Sequence, residues 1–172
     1  MASDAITGNE RRLRVTADIR ARTGIDEAMI ERLVRTFYGK VRADALLSPV
    51  FAERVADWEP HLKRMGEFWS SVALMSGVYH GRPMEKHLPL PVDARHFDRW
   101  LDLFRSTARE VCAPVAAEHF IERAERIAQS LEMGIAVRHG VLLASGERLE
   151  RPDAEVRLPD ELDAAARHES VS

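Results

Sequence analysis

Apolar residues along this chain recur every three or four positions over four long stretches, the period of one buried face of an α-helix. After Thr23-Gly24-Ile25-Asp26, a segment with a capping residue, the first stretch places Met29, Ile30, Leu33, Val34, Phe37 and Val41 on one stripe and predicts a helix ending near Arg42. Leu46-Leu47-Ser48-Pro49-Val50-Phe51 then reads as a tight corner or short helix. A second long helix is predicted from Trp58-Glu59-Pro60, because proline is tolerated in a first turn where its missing N–H costs nothing. Its stripe carries His61, Leu62, Met65, Phe68, Trp69 and Val72, and Gly77 is the expected stop. Between Val78 and Val92, Gly81, Pro83, Pro89 and Pro91 leave room only for one helical turn around Met84 to Leu88. Asp93 can cap a third helix, with Phe97, Trp100, Leu101, Phe104, Ala108 and Val111 facing inward, and Pro114 closes it. Phe120, Ile121, Ala124, Ile127, Ala128, Leu131 and Ile135 mark a fourth. No window alternates with period two, so the expected class is all-α.

The ends differ from this block. Residues 1–22 are polar and rich in arginine with only a weak period, and are expected to form an extension that is at most partly helical. Residues 140–172 hold Pro152, Pro159 and many charges, and are expected to be an irregular or disordered tail or a loose hairpin. That leaves one domain over 23–139, as 172 residues suggest.

Composition narrows the function only slightly. A net charge of −3 with scattered cations argues against nucleic acid as a partner. The single cysteine, Cys112, excludes an internal disulfide and a CxxCH haem attachment, and reads as a packed thiol beside the third stripe. No run of apolar residues is long enough for a membrane span and no signal peptide is apparent, which gives a cytoplasmic location as the expectation.

Four helices alone specify no function, but the polar groups on the buried stripes say more. His61, Met65, Phe68 and Trp69 stand at i, i+4, i+7 and i+8, so an imidazole shares a face with three large apolar groups. Tyr38 and Trp100 can converge on the same cavity. Taken by themselves, Tyr38 and Trp100 also read as ordinary packed aromatics, His61 as a satisfied core histidine, and His87, in Glu85-Lys86-His87, as a surface residue.

The stretches FYGKVRADALLSPVF (37–51), DWEPHLKRMGEFWSSV (57–72), SGVYHGRPMEKH (76–87) and HFDRWLDLF (96–104) together resemble the group III truncated haemoglobins of bacteria, in order and spacing, over nearly the whole expected core. The glycine pairs that punctuate loops in groups I and II are missing, which favours group III. The resemblance implies a two-over-two helical sandwich around a non-covalently held haem b. His87 matches the proximal iron ligand, and Tyr38, His61 and Trp100 match the distal residues that donate hydrogen bonds to a bound ligand. Each such bond to a charged acceptor is worth roughly 1.5–3 kcal/mol. Phe37, Phe51, Met65, Phe68 and Trp69 are then expected as distal walls, Leu88, Phe97 and Phe104 as walls nearer the proximal side, and Tyr79, Arg82, Lys86 and Arg95 as partners for the propionates.

By the same resemblance the ligands are dioxygen, nitric oxide, carbon monoxide or peroxide, with an unidentified electron donor if the protein turns over as an oxidoreductase, and the state is a monomer or weak homodimer. The competing class is a non-haem or ligand-free helical interaction module with structural histidines. No paired Glu-x-x-His set supports a non-haem iron site.

Overall fold

The structure is a computed structural model, which describes residues 7–151. Seven helices follow one another: α1 (Gly8–Thr23), α2 (Glu27–Ala43), α3 (Ser48–Ala52), α4 (Trp58–Leu74), α5 (Pro83–His87), α6 (Ala94–Val111) and α7 (Pro114–Arg138). No strand occurs among the described residues.

The helix ends follow from local chemistry. At α2 the Asp26 carboxylate accepts from the Met29 N–H at 2.8 Å, and at α6 Asp93 caps the Arg95 N–H at 3.0 Å, each satisfying a donor that has no partner within its helix. Pro114 opens α7 and Pro83 opens α5. The stop of α4 comes earlier than the glycine at 77 suggests: Met75 takes a left-handed conformation (φ 55°) at the cap. Two neighbouring helices make this possible, because the Thr16 hydroxyl donates to the Leu74 carbonyl at 2.7 Å and the His119 Nε2–H to the Ala73 carbonyl at 2.8 Å. Long-range partners thus serve the orphan carbonyls that a glycine cap would otherwise serve.

The stripes meet as two layers. α2 packs on α4, α6 packs on α7, and the pairs join where α2 crosses α6 and α4 meets α7, giving the two-over-two sandwich. The main core gathers Leu33, Val34, Phe37, Trp69, Phe104 and Phe120 among others, and a second cluster centres on Val92, Phe97, Leu131, Ile135 and Leu149.

Both ends of the described chain depart from the sequence expectation. α1 is a full helix with a capping box, in which the Thr7 hydroxyl accepts from the Glu10 N–H (3.2 Å) and the Glu10 carboxylate from the Thr7 N–H (2.8 Å). It packs on α4 and α7 through the buried Ile19 and Thr23, so it belongs to the helical body. Its weak period reflects how little of its surface is covered. Residues 141–151 lack helix, as expected, yet run against the body with Leu149 only 1% exposed. The expected tail from 152 onward and the first six residues lie outside the described residues.

Candidate functional site

A cavity of about 410 Å³ opens between the two core clusters, within the range of roughly 300–1,000 Å³ usual for small-molecule and cofactor sites. Tyr38 from α2, Phe51 from α3, and His61, Met65, Phe68 and Trp69 from α4 line one side. Tyr79, Lys86 and His87 come from the linker and α5, and Phe97 and Trp100 from α6.

On the α2–α4 side the lining is a set of rings with polar tips. Tyr38 and His61 meet edge to face with centroids 5.3 Å apart, and Trp58 packs on both, at 5.9 and 5.5 Å. Burial pushes the Tyr38 phenol well above its usual range, so it stays a neutral hydroxyl donor. His61 Nε2 is buried and has no hydrogen-bond partner among the described residues. Leaving such an atom unpaired costs roughly 1–3 kcal/mol, and within a lined cavity it fits a site shaped for something bound. Burial first, then the nearby Arg64 and Lys86 charges, lower the His61 pKa and keep it neutral. Trp100 stacks on Phe104 at 5.4 Å and meets Phe37 edge to face at 5.4 Å, which fixes its indole at the cavity wall.

The α5 side is built differently. His87 Nδ1 lies 2.6 Å from the Pro83 carbonyl, and a carbonyl only accepts, so this nitrogen carries the proton. Nε2 is left with its lone pair, the form in which imidazole binds a metal. Burial depresses the His87 pKa against the raising effect of that hydrogen bond, which keeps the ring neutral. Gly134 on α7 lets the Met84 side chain of α5 lie against the helix: a Cβ there would stand 2.3 Å from Met84 Sδ, and that side chain would have to move. Gly81 has a matching role, since a Cβ would stand 2.0 Å from the Tyr79 hydroxyl, which folds back over it while the Tyr79 ring packs edge to face on Phe68 at 5.3 Å.

Several expected contacts lie elsewhere. Phe37 and Phe104 are almost wholly enclosed in the main core, where they back Trp100 and Trp69 instead of lining the cavity. Leu88 turns toward Gly134 on α7, and Leu90 and Val92 line the cavity in that region. Arg82 is exposed and donates to Glu85 at 3.0 Å. Arg95 is drawn to the Asp93 carboxylate, 3.2 Å from both oxygens. At the rim Arg54 and Arg64 stand with Lys86. Sequence reasoning missed those two arginines, Trp58, and the α7 residues Ile127, Ala128 and Leu131. The last three sit on the predicted stripe, but a stripe does not say which of its members border a cavity. His96 was also missed: it is buried, accepts from the Asp93 N–H at 3.1 Å through Nδ1, and lines the cavity.

A larger open depression of about 810 Å³ lies between α6, α7 and residues 143–148. Its carboxylates are already paired, Glu125 with Arg105 at 2.8 Å and Asp98 with Arg148 at 2.8 Å, so the convergent unpaired chemistry lies in the smaller cavity. Among the described residues no cluster of three or more acidic, cysteine or histidine side chains could hold a metal ion by itself. Iron supplied within a prosthetic group and gripped by one imidazole is compatible with that. No helix of the described residues is long and apolar enough to cross a membrane.

Comparison with known proteins matches the cavity-bearing region. The family model described as bacterial-like globin covers residues 21–133. The group 3 truncated haemoglobin ctb of Campylobacter jejuni is 33% identical over 113 residues, 63% of this chain and 89% of that one. The crystal structure of a group III truncated haemoglobin from the same organism superposes with a TM-score of 0.59 at 31% identity, covering 72% of this chain and 95% of the other. The haemoglobin of the thermophilic phototroph Chloroflexus aurantiacus, at 24% identity, shares the fold with a TM-score of 0.54 over 66% of this chain and 95% of its own. The chain belongs to the bacterial-like globin family and is a truncated haemoglobin of the group III type.

Proposed function

We propose that the protein holds haem b without a covalent link, takes iron coordination from His87 Nε2, and binds dioxygen and other diatomic ligands on the side where Tyr38, His61 and Trp100 converge. The observation that carries this reading is one largely apolar cavity lined by two imidazoles from different helices, His61 of α4 and His87 of α5. His87 has its Nδ1–H committed to Pro83, and His61 has a buried nitrogen with nothing to bond.

When bound, the group would supply a redox-active iron centre able to take a diatomic molecule. The chain does the rest. His87 stays neutral and fixed by its hydrogen bond, so its lone pair is available without a protonation cost. Phe51, Met65, Phe68 and Phe97 provide dry walls that exclude water and favour a flat apolar ring system. Arg54, Arg64 and Lys86 offer cations at the rim for carboxylates. Tyr38, His61 and Trp100 present hydroxyl and ring N–H donors that favour a ligand gaining negative charge. Three donor side chains on one cavity are the feature behind the further reading of redox turnover of nitric oxide or peroxide with an external electron donor.

The test is an absorption spectrum of the purified, reduced protein before and after carbon monoxide. A Soret band that shifts on exposure is expected; a protein that takes up no haem, or whose spectrum does not respond, overturns the proposal and returns the chain to the class of ligand-free helical modules. Repeated turnover of peroxide or nitric oxide with a supplied reductant, slowed or altered in Tyr38→Phe, distinguishes the enzymatic reading from a pure carrier.

A further inference from the structure

The family match ends at residue 133, and the chain then completes α7 and returns as the strap 141–151. The strap reaches the proximal half of the cavity. Leu149 is buried against Val92, Phe97 and Leu131, which line the cavity from the other side. Its N–H donates to the Glu132 carboxylate at 2.9 Å and its carbonyl accepts from the Ala94 N–H at 2.8 Å. Arg148 grips the same Glu132 with two nitrogens, at 3.0 and 2.9 Å, so the strap is anchored on α7 before it crosses to α6.

Arg151 then makes the contacts that bear on His87. Its backbone N–H donates to the Asp93 carboxylate at 3.3 Å, and its guanidinium Nη1 donates to the carbonyls of Leu90 (3.1 Å) and Val92 (3.5 Å). Those residues lie in the segment between α5 and α6, where Pro89 and Pro91 lack N–H groups and no ladder forms. The Leu90 N–H in turn donates to the His87 carbonyl at 3.0 Å. Two hydrogen bonds therefore connect the guanidinium to the backbone of the proposed iron ligand.

We infer that the strap, acting through Arg151 and Leu149, is a positioning element for His87: it holds the segment 88–93 so that the imidazole keeps one orientation, and it retains haem by backing the proximal wall. This rests on the haem-binding reading. Both residues lie beyond the region matched by the family model.

The experiment compares the full-length holoprotein with Arg151→Ala, Arg151→Lys and Leu149→Ala. Two readouts are taken: the rate of haem transfer to an excess of a haem-free acceptor globin, and the iron–histidine stretching band of the ferrous protein by resonance Raman. Arg151→Ala is expected to release haem about tenfold faster and to shift or broaden the band, the scale seen when partners that orient a metal ligand are removed. Arg151→Lys is expected to restore less than half of the loss, since an ammonium lacks the rigid planar fork. Leu149→Ala is expected to act in the same direction. A strap that only stabilises the fold would lower the melting temperature and leave the band in place, and that result overturns the inference, as do unchanged haem loss and an unchanged band in Arg151→Ala. If Leu149→Ala does not fold, Arg151→Ala decides alone. A wild-type protein that takes up no haem instead refutes the haem-binding reading, which is a separate outcome.

Discussion

The two halves of the cavity are satisfied to different degrees. On the proximal half the groups that support the wall are paired: His87 Nδ1 with the Pro83 carbonyl and, behind the lining, Asp93 with Arg95 and the Arg151 N–H and Glu132 with Arg148 and the Leu149 N–H, so that His87 Nε2 keeps its lone pair on a fixed ring. On the distal half His61 Nε2 is buried without a partner among the described residues, beside a Tyr38 hydroxyl held neutral by burial. A paired network is rigid and fixes geometry, whereas an unpaired buried donor or acceptor stores an interaction to be made with something else. Under the proposed function, that difference separates holding a prosthetic group from meeting its ligand.

The largest expected effect breaks the holding half. Removing the imidazole in His87→Ala is expected to lower haem retention more than about 100-fold, beyond the roughly 10- to 100-fold cost of losing a partner that only orients a metal ligand. Haem transfer to an acceptor globin measures it. The next effect lies on the meeting half: Tyr38→Phe removes a donor worth roughly 1.5–3 kcal/mol to a charged acceptor, so dioxygen should leave roughly 10- to 150-fold faster in stopped flow while haem retention stays near that of the wild type. Equal losses of both in Tyr38→Phe would erase the distinction between the halves.

A smaller effect has the opposite sign. His61→Leu replaces an unpaired polar atom with apolar volume, so the haem-free protein should gain about 1 kcal/mol in chemical denaturation even as the ligand is held less firmly. Destabilisation of the haem-free form would show that His61 is already satisfied.

The smallest effect is a slope with pH. His61, His87, His96 and His119 all have folded-state pKa values lowered chiefly by burial. Below the ordinary value of about 6.5 the unfolded chain therefore binds more protons than the folded one. Stability is then complete above that pH and is lost as the pH falls through the window between it and the lowered folded values. Denaturation midpoints of the haem-free protein from pH 7.5 to 5 should fall, and His61→Leu should flatten the decline. A midpoint that rises on acidification contradicts these directions.

Much of this was legible in the sequence because the relevant signals are local. The i, i+3, i+4 stripes of α2, α4, α6 and α7, the caps Asp26 and Asp93, and the proline-bounded turn bearing His87 all act over a few residues. What escaped depends on contacts across the chain. Met75 ends α4 because Thr16 and His119 reach its carbonyls, from 58 and 46 residues away. α1 reads as a polar extension because only Ile19 and Thr23 of it are buried, while Leu149, with the partly buried Leu143, anchors an irregular stretch with no period to betray it. Phe104 shares the α6 stripe with Trp100, and Phe37 lies on the α2 stripe beside Tyr38, yet both stand one layer behind the cavity lining, a depth that periodicity does not encode. Arg82 and Arg95 were near enough in sequence to serve the rim, yet closer carboxylates, Glu85 and Asp93, take them.

The proposed iron ligation by His87 is the role on which the others hang. The direct test is the absorption and resonance Raman spectrum of reduced His87→Gly, reconstituted with haem, before and after adding free imidazole. The variant is expected to lose the five-coordinate histidine signature of the wild type and to regain it when imidazole fills the vacated space. A variant that keeps the wild-type signature without added imidazole would contradict the assignment and place the iron on another residue.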